Sequence, residues 1–306
     1  GCVRDYFLNI PVKDYDVEIF GINSLDIILK SLEKFGSVKL VGKSFGVLTL
    51  RVNEYDFDFA LPRTETKIGN THQGFEVITN SNLSFKEAAI RRDFTINTIG
   101  YDFLKQEFLD PFDGINDLKN RIIKHINDAT FIEDSLRVYR AIQFASRFDF
   151  KIDENTKELC KQIVLNDELI YLPKERIYEE LKKLFLKSSK PSIGFELIRE
   201  LGILKYFPEL EVLINCIQEP EYHPEGDVWI HTMMCLDEMA RILKEENIKD
   251  EYKKLYLFYA ILCHDFGKPF CTKEINGKIT SFKHENLGIE PTISFLSKLT
   301  NEKKFI

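Results

Sequence analysis

The 306-residue chain has no run of about 18 apolar residues, so no helix is expected to cross a membrane. It lacks a basic-then-apolar opening, so no secretory signal is expected either. The first residues fall inside a motif taken up below, so further residues are expected ahead of them. No Cys-x-x-Cys pair occurs among the six scattered cysteines Cys2, Cys160, Cys216, Cys235, Cys263 and Cys271. That argues against a disulfide frame or a zinc site and suits the reduced thiols of a cytoplasmic protein. A basic balance is missing too. The net charge is −7, which speaks against a general nucleic-acid footprint and leaves room only for a local one. Internal repeats and low-complexity segments are absent. With 44% apolar and 30% charged residues, the chain reads as globular and long enough for two or more compact units.

What the chain does have is two short apolar stretches with acids at every second position. The first is Lys13-Asp14-Tyr15-Asp16-Val17-Glu18-Ile19-Phe20, the second Glu54-Tyr55-Asp56-Phe57-Asp58-Phe59-Ala60-Leu61. In a strand, residues i and i+2 share a face. Asp14 and Asp16 therefore point one way, while Tyr15, Val17 and Ile19 point the other. Carboxylates collected on one face repel unless a cation joins them. Mg²⁺ takes oxygens from one or two carboxylates plus substrate phosphates. Two such ions about 3.5–4 Å apart would bridge the attacking and leaving oxygens of a phosphoryl displacement. The plain alternative is a solvated edge strand.

Ahead of the first acid run stands Gly1-Cys2-Val3-Arg4-Asp5. A glycine before a helix start lets backbone N–H groups approach phosphate, and Arg4 adds a fork of donors. A glycine turn, an Asp-x-Asp strand and a second acidic strand resemble the layout of the nucleotidyltransferase superfamily, which includes the DNA polymerase β-like enzymes. Arg91-Arg92-Asp93-Phe94-Thr95-Ile96-Asn97 joins a helix to a strand. Its arginines suit a triphosphate. Asn97 suits a ribose hydroxyl, since its amide both donates and accepts. Equally, the segment reads as a junction held by local ion pairs of ~0–1 kcal/mol each.

Asp134, Arg137 and Arg140, spaced i, i+3, i+6, fall near one helix face. Cytosine and adenine present an amino donor beside a ring-nitrogen acceptor, and uracil and guanine present the reverse. An accepting Asp and a donating Arg would take C or A, with discrimination of about 1–3 kcal/mol. The bland reading is a helix-start acid with an ion pair. Residues 171–190 carry six Lys/Arg (Lys174, Arg176, Lys182, Lys183, Lys187, Lys190) against three Glu. That is either a phosphate-contacting stripe or the solvated face of an amphipathic helix.

Along residues 1–110, apolar spacing at Leu25, Ile28, Leu29 and Leu32 predicts a helix over 22–35. Strands are expected over 38–41 and 45–52, parted by Gly42-Lys43-Ser44, and again over 97–101 and 107–109. The polar stretch from Pro62 to Thr79, with Gly69 and Gly74 inside it, is expected as a mobile loop. Asp110-Pro111-Phe112-Asp113-Gly114 is a strong turn. Beyond it, spacing near 3.6 predicts helices over 136–148, 154–165, 175–186, 191–201 and 228–243. Domain junctions are expected at about 110 and at 218–221.

Taken in order, these stretches resemble the class II tRNA nucleotidyltransferases (CCA-adding enzymes) and the related bacterial poly(A) polymerases. The matching runs are Gly-Cys-Val-Arg-Asp at 1–5, Lys-Asp-Tyr-Asp at 13–16, Asp-Phe-Ala-Leu-Pro-Arg at 58–63, His-x-Gly-Phe at 72–75, Arg-Arg-Asp-Phe-Thr-Ile-Asn at 91–97, Asp-Pro-Phe-Asp-Gly at 110–114, Glu-Asp-x-Leu-Arg-x-x-Arg at 133–140 and Pro-x-Glu-Arg-Ile at 173–177. The resemblance implies an α+β fold with three parts. Residues 1–110 would be a nucleotidyltransferase (polymerase β-like) head, a mixed sheet with flanking helices. Residues 111–218 would be an all-helical neck and body for base selection and RNA binding, and residues 219–306 a helical HD domain, cut short. It further implies that Asp14 and Asp16 hold Mg²⁺ and that Asp58 is the third acid, Asp56 being the alternative. Gly1, Arg4 and Arg92 would hold the triphosphate, with Asp93 and Asn97 in the nucleotide site. Asp134 and Arg137 would read the base, with Arg140 adjacent. The partners would be ATP, CTP and the 3′ end of tRNA or another RNA, extended without a template. CCA addition is the leading expectation and poly(A) addition the alternative.

His223-Pro224-Glu225-Gly226-Asp227-Val228-Trp229-Ile230-His231-Thr232 and Leu262-Cys263-His264-Asp265-Phe266-Gly267-Lys268-Pro269 resemble the start of an HD domain, which binds divalent metal for phosphoester hydrolysis. His231, His264 and Asp265 are the candidates, with His284 as a further one, and such ligands suit Mn²⁺ or Ni²⁺. No Asp follows Asp265, so the last ligand of the pattern is missing. A metal-dependent phosphohydrolase is the reading from another class. The bland reading is that His264 and Asp265 cap a helix.

Overall fold

Acid–apolar alternation builds the first sheet. In the computed structural model, which describes residues 1–41, 46–67, 75–303 and 305, helix α1 (Cys2–Phe7) leads to strand β1 (Asp14–Glu18). Then come α2 (Leu25–Leu32), β2 (Val38–Val41), β3 (Val47–Val52) and β4 (Tyr55–Ala60). The strand order is β1-β4-β3-β2. β1 runs parallel to β4, and the other two pairings are antiparallel. On the apolar face, Leu48 and Leu50 point inward, and α2 lays Ile28 and Leu32 against them and Leu61. Tyr15 stacks on Phe57 at 5.0 Å. The same alternation leaves Asp14, Asp16, Glu18, Asp56 and Asp58 together on the opposite face.

Three expectations change in this region. Residues 62–79 are not simply a loop, because β5 (Arg63–Lys67) and β6 (Phe75–Thr79) pair antiparallel, with Arg63 opposite Thr79. A ladder is satisfied by main-chain bonds and needs no apolar alternation to announce it. Gly69, His72 and Gly74 lie outside the described residues, as does the turn Gly42-Lys43-Ser44. After α3 (Phe85–Ala89), the strand expected over 97–101 gives way to a 3₁₀ turn at Thr95–Asn97. There Thr98 Oγ1 donates to Thr95 O at 2.6 Å. β7 (Gly100–Asp102) then pairs with β8 (Glu107–Leu109).

Thirdly, the first compact unit runs Gly1–Asp134, past the junction expected near 110. Asp110 accepts from the N–H groups of Gly114 and Ile115 at 2.7 and 2.9 Å, which turns the chain into α4 (Gly114–Asn120). A Cβ on Gly114 would stand 2.3 Å from Thr95 O, so only glycine permits this approach. Thr95 Oγ1 then donates to buried Asp117 at 2.5 Å. These bonds keep α4, β9 (Ile122–Ile123) and α5 (Asp128–Ile132) with the head.

The second unit, Ser135–Ile306, is mainly helical, as expected. It comprises α6 (Leu136–Phe148), β10 (Lys151–Ile152), α7 (Glu154–Leu165), α8 (Lys174–Lys187), α9 (Pro191–Glu200), α10 (Pro208–Glu211), α11 (Val228–Glu245), α12 (Glu251–Cys263), the hairpin β11 (Lys273–Ile275) and β12 (Lys278–Thr280), α13 (His284–Leu287) and α14 (Ile289–Ser297). Its core is aromatic: Phe185 stacks on Phe258 at 4.9 Å. Trp229, fully buried, donates its indole N–H to Glu196 at 2.6 Å. Each such burial contributes about 1.5–3 kcal/mol. The hairpin departs from the all-helical expectation. Asn276 and Gly277 both take positive φ, 52° and 77°, as a tight two-residue turn requires. Among the described residues no helix is long and apolar enough to cross a membrane.

Candidate active site and metal centre

On the head's acid face, the parallel register sets Asp16 opposite Asp58 and Asp14 opposite Asp56, on strands about 4.8 Å apart. Asp14, Asp16 and Asp58 are exposed and Asp56 is half-buried. Asp58 accepts from Thr49 Oγ1 at 2.6 Å, whereas Asp56 lies 3.6 Å from Arg51 Nε. Asp56 thus has a cation at hand, and Asp58 a neutral hydroxyl. Asp16 Oδ2 lies 3.9 Å from Gly1 N at the start of α1. Asp14, Asp16 and Asp58 share a face without converging. Among the described residues they form no set whose ligand oxygens all lie within 4.8 Å of one another.

Glu18, the next acid along β1, escaped the sequence reading although the Asp14–Asp16 alternation points to it. It accepts from Arg91 Nη2 through Oε1 and from Arg92 Nη2 through Oε2, both at 3.0 Å, and its side chain is only 12% exposed. Arg92 also donates to Asn97 O at 2.9 Å. Behind it, buried Arg4 bonds Asp5 and the Asn97 amide oxygen. Asn97 Nδ2 donates to Asp93 Oδ1 at 2.8 Å, and Asp93 is itself buried. Of the residues expected to meet the nucleotide, Arg4, Asp93 and Asn97 therefore make a bonded support behind Arg92.

Asp134 closes the first unit, while Arg137 and Arg140 stand on α6 in the second, all three half-buried. The helix begins only at Leu136, so Asp134 is not on its face. Arg140 lies 3.8 Å from Glu180 and over the Phe144 ring. Part of the basic stripe is used internally. Lys174 Nζ donates to Ser297 O and Asn301 Oδ1 beyond α14, and Lys183 pairs with Glu180 at 2.7 Å.

In the helical unit three imidazoles meet one carboxylate. Asp227 caps α11, accepting from the Ile230 and Asn215 N–H groups at 2.9 and 2.7 Å, and this sets His231 in the first turn. His264 and Asp265 follow the end of α12. Gly267 lets the His284 turn close in, since a Cβ there would stand 1.9 Å from His284 O. Each ring is held by Nδ1: His231 on Glu225 at 2.6 Å, His264 on Ile261 O at 2.7 Å, His284 on Ser281 O at 2.8 Å. Each Nε2 faces Asp265. His231 and His264 lie 4.0 and 3.1 Å from Oδ2, and His284 lies 3.5 Å from Oδ1.

Asp265 is 2% exposed, and its Oδ2 makes no aligned hydrogen bond among the described residues. Lys268 Nζ stands 2.8 Å away as an ion pair, donating instead to Gln218. Burial would raise the Asp265 carboxyl, but the close approach of the His264 ring and the charges of His264 and Lys268 prevail and lower it to about 2. Its own main-chain N–H, then His223 and His231, hold Glu225 at about 2 as well. Burial is the largest influence on His231 and lowers it. Glu225 also bonds His223 Nδ1 at 3.0 Å, and Cys235 Sγ lies 3.4 Å from His231 Nε2. The sequence reading quoted Glu225 without a role and passed over Cys235, whose i+4 spacing from His231 was the available signal. Metal-ligating histidines carry their other nitrogen on a carbonyl or carboxylate, and all three rings do so. The donor set fits a borderline divalent cation.

The head and its acid face are those of a nucleotidyltransferase. A family profile described as "Poly A polymerase head domain" matches residues 1–124. Another, described as "Probable RNA and SrmB- binding site of polymerase A", matches residues 149–214. The "Multifunctional CCA protein" of Mannheimia succiniciproducens is 37% identical over 304 residues, which is 98% of this chain and 68% of that relative. The chain therefore belongs to the family of the multifunctional CCA proteins. A solved "tRNA-processing enzyme (apo form 2)" superposes with a TM-score of 0.68 at 25% identity, over 100% of this chain and 73% of its own. A CCA-adding enzyme solved with CTP superposes at 0.58, also at 25% identity, over 84% and 56% respectively.

Proposed function

We propose that this chain adds cytidylate and adenylate to the 3′ end of tRNA without a template, from CTP and ATP, releasing pyrophosphate. Its family membership supports the reaction, as does the likeness to a CCA-adding enzyme solved with CTP. One observation carries the chemistry: the register that aligns Asp16 with Asp58, with Asp14 on the same face. Asp14 and Asp16 hold Mg²⁺, and Asp58 is the third carboxylate, because Arg51 already offsets Asp56. Exposed oxygens on one face suit a hard cation that keeps water and takes phosphate oxygens. When bound, Mg²⁺ offsets phosphate charge and lowers the pKa of the primer hydroxyl. Arg92, held by Glu18 and Asn97, receives the triphosphate, with Gly1 and Arg4 behind it. Asp134 and Arg137 read the pairing edge, with Arg140 beside them. Residues 149–214 contact the RNA, which the profile match supports. Six free thiols support a cytoplasmic setting. The test is extension of a tRNA transcript lacking its CCA end with labelled CTP and ATP. Stepwise C, C, A is expected. A homopolymer of A would assign poly(A) synthesis instead, and no extension would overturn both.

A second reading rests on the imidazoles aimed at Asp265. Residues 219–306 form an HD-type centre, in which His231, His264, Asp265 and His284 hold a divalent cation such as Mn²⁺ or Ni²⁺ for phosphoester hydrolysis. Its test is phosphate release from 2′,3′-cyclic or 2′-phosphorylated nucleotides with Ni²⁺, persisting when Asp16 is changed.

A further inference from the structure

We infer that Cys235 is itself a ligand of the cation held by His231, His264 and Asp265, and that its thiolate makes the centre select Zn²⁺ and Co²⁺ over Mg²⁺ and Mn²⁺. This rests on the cation reading of that centre and puts a donor of different chemistry in the place of His284. Cys235 stands one turn after His231 on α11, so the two side chains share a face. One ligand atom each from His231, Cys235 and His264 lies within 4.8 Å of the others. Sγ is 3.4 Å from His231 Nε2. A tetrahedral zinc with Zn–N of about 2.0 Å and Zn–S of about 2.3 Å holds N and S roughly 3.5 Å apart. Asp265 Oδ2, at 3.1 Å from His264 Nε2 and 4.0 Å from His231 Nε2, would supply the fourth donor once Lys268 Nζ, now 2.8 Å from it, gives way. This oxygen is buried and has no aligned hydrogen bond among the described residues. Two neutral nitrogens, a thiolate and a carboxylate balance a divalent charge, and a soft sulfur donor disfavours Mg²⁺. Binding forms the metal–sulfur bond and releases the thiol proton to solvent. The rival arrangement is a thiol that merely donates to His231 Nε2.

The experiment titrates the reduced, metal-free 306-residue chain with Co²⁺ and follows its absorption. The expected spectrum combines a near-ultraviolet thiolate-to-cobalt band with strong visible bands of four-coordinate Co²⁺. Equimolar Zn²⁺ removes both sets of bands, and Mg²⁺ removes neither. Cys235→Ser keeps the visible bands, loses the near-ultraviolet one and binds at least tenfold more weakly. A measurement needing no variant is alkylation by iodoacetamide, mapped by peptide mass. Zn²⁺ should protect Cys235 and leave half-buried Cys216 and Cys271 unprotected. Visible bands without the near-ultraviolet band, a band that persists in Cys235→Ser, or unchanged alkylation of Cys235 with Zn²⁺ bound would each remove the thiol from the ligand set while the cation reading stands. Failure of both Co²⁺ and Zn²⁺ to bind would overturn the two together.

Discussion

The acid face of the head and the histidine centre of the helical unit solve opposite problems. In the head Asp14, Asp16 and Asp58 are exposed, aligned by strand register and held apart. The imidazoles are locked by Nδ1 bonds, and Asp265 is 2% exposed. An ion that must arrive with a triphosphate and leave with pyrophosphate needs oxygens it can share with water and substrate. An ion that stays needs a cage preformed by neighbouring bonds. On the functions proposed above, exposure in the head suits a visiting cation and preorganisation in the helical unit a resident one.

The sharpest way to break the comparison is Asp16→Asn. It removes one charge from the visiting site, so CTP incorporation should fall by roughly 10²–10³ or more. The melting temperature should hold or rise, because a like charge has been removed. Wild-type incorporation would refute the metal assignment, and lost folding would make Asp16 a structural acid. In the resident site the parallel change lies one step outward. Glu225→Gln should turn His231 off its Nδ1 anchor and weaken Co²⁺ binding by roughly 10–100-fold, with tRNA extension unaffected. An unchanged Co²⁺ isotherm would show that the His231 ring is fixed by packing alone.

The two regions also differed in how legibly the sequence announced them. α6 and α7 fall on the expected bounds: α7 buries Thr156, Cys160, Ile163 and Val164 at helical spacing, whereas α6 is buried along most of its length, and the acidic strands follow from an alternation visible in eight residues. The β5–β6 ladder could not be read that way, since main-chain bonds hold it. Nor could the extension of the head to Asp134, which depends on Gly114 meeting Thr95 and on the Thr95–Asp117 bond across 22 positions. The shared face of Asp14 and Asp16 was legible from their spacing, while His231, His264 and Asp265 were picked out by the resemblance to an HD domain. Glu18 and Cys235 left a spacing signal that was not used, and Glu225 left none, because the partners that single them out, Arg91 and Arg92 for Glu18 and His231 for Glu225 and Cys235, come close only in the fold.

Glu18 sharpens the comparison at an intermediate scale. Two guanidiniums, those of Arg91 and Arg92, already engage it. Glu18→Ala should leave two neighbouring guanidiniums to repel and wander, so the incoming triphosphate must order Arg92 itself. Hydrogen bonds to charged groups contribute about 1.5–3 kcal/mol, and with part of that lost KM for CTP should rise roughly tenfold, more than kcat falls. A lower KM would mean that Glu18 only competes with the phosphates for the arginines.

The smallest expected effect belongs to a pair in the helical unit with no part in either site. Glu209 on α10 accepts from Lys298 at 2.6 and 2.7 Å and from Ser294 at 2.6 Å, which ties down α14. Burial alone would raise the Glu209 carboxyl, but the bonds from Lys298 and Ser294 outweigh it and hold it below the ordinary 4.5. A carboxyl lowered in the folded state stabilises above its unfolded pKa, and that contribution is lost as pH falls through the folded value. Because Lys298 is 35% exposed, the contribution is discounted to about 1 kcal/mol. Glu209→Gln should therefore lower the protection of α14 amides in hydrogen exchange at neutral pH, and the gap to wild type should close below about pH 4.5. A gap of equal size at acid pH would mean that shape, not charge, holds α14. The contrast between a region whose charges wait for a ligand and one whose charges are already matched would then weaken at its most ordinary point.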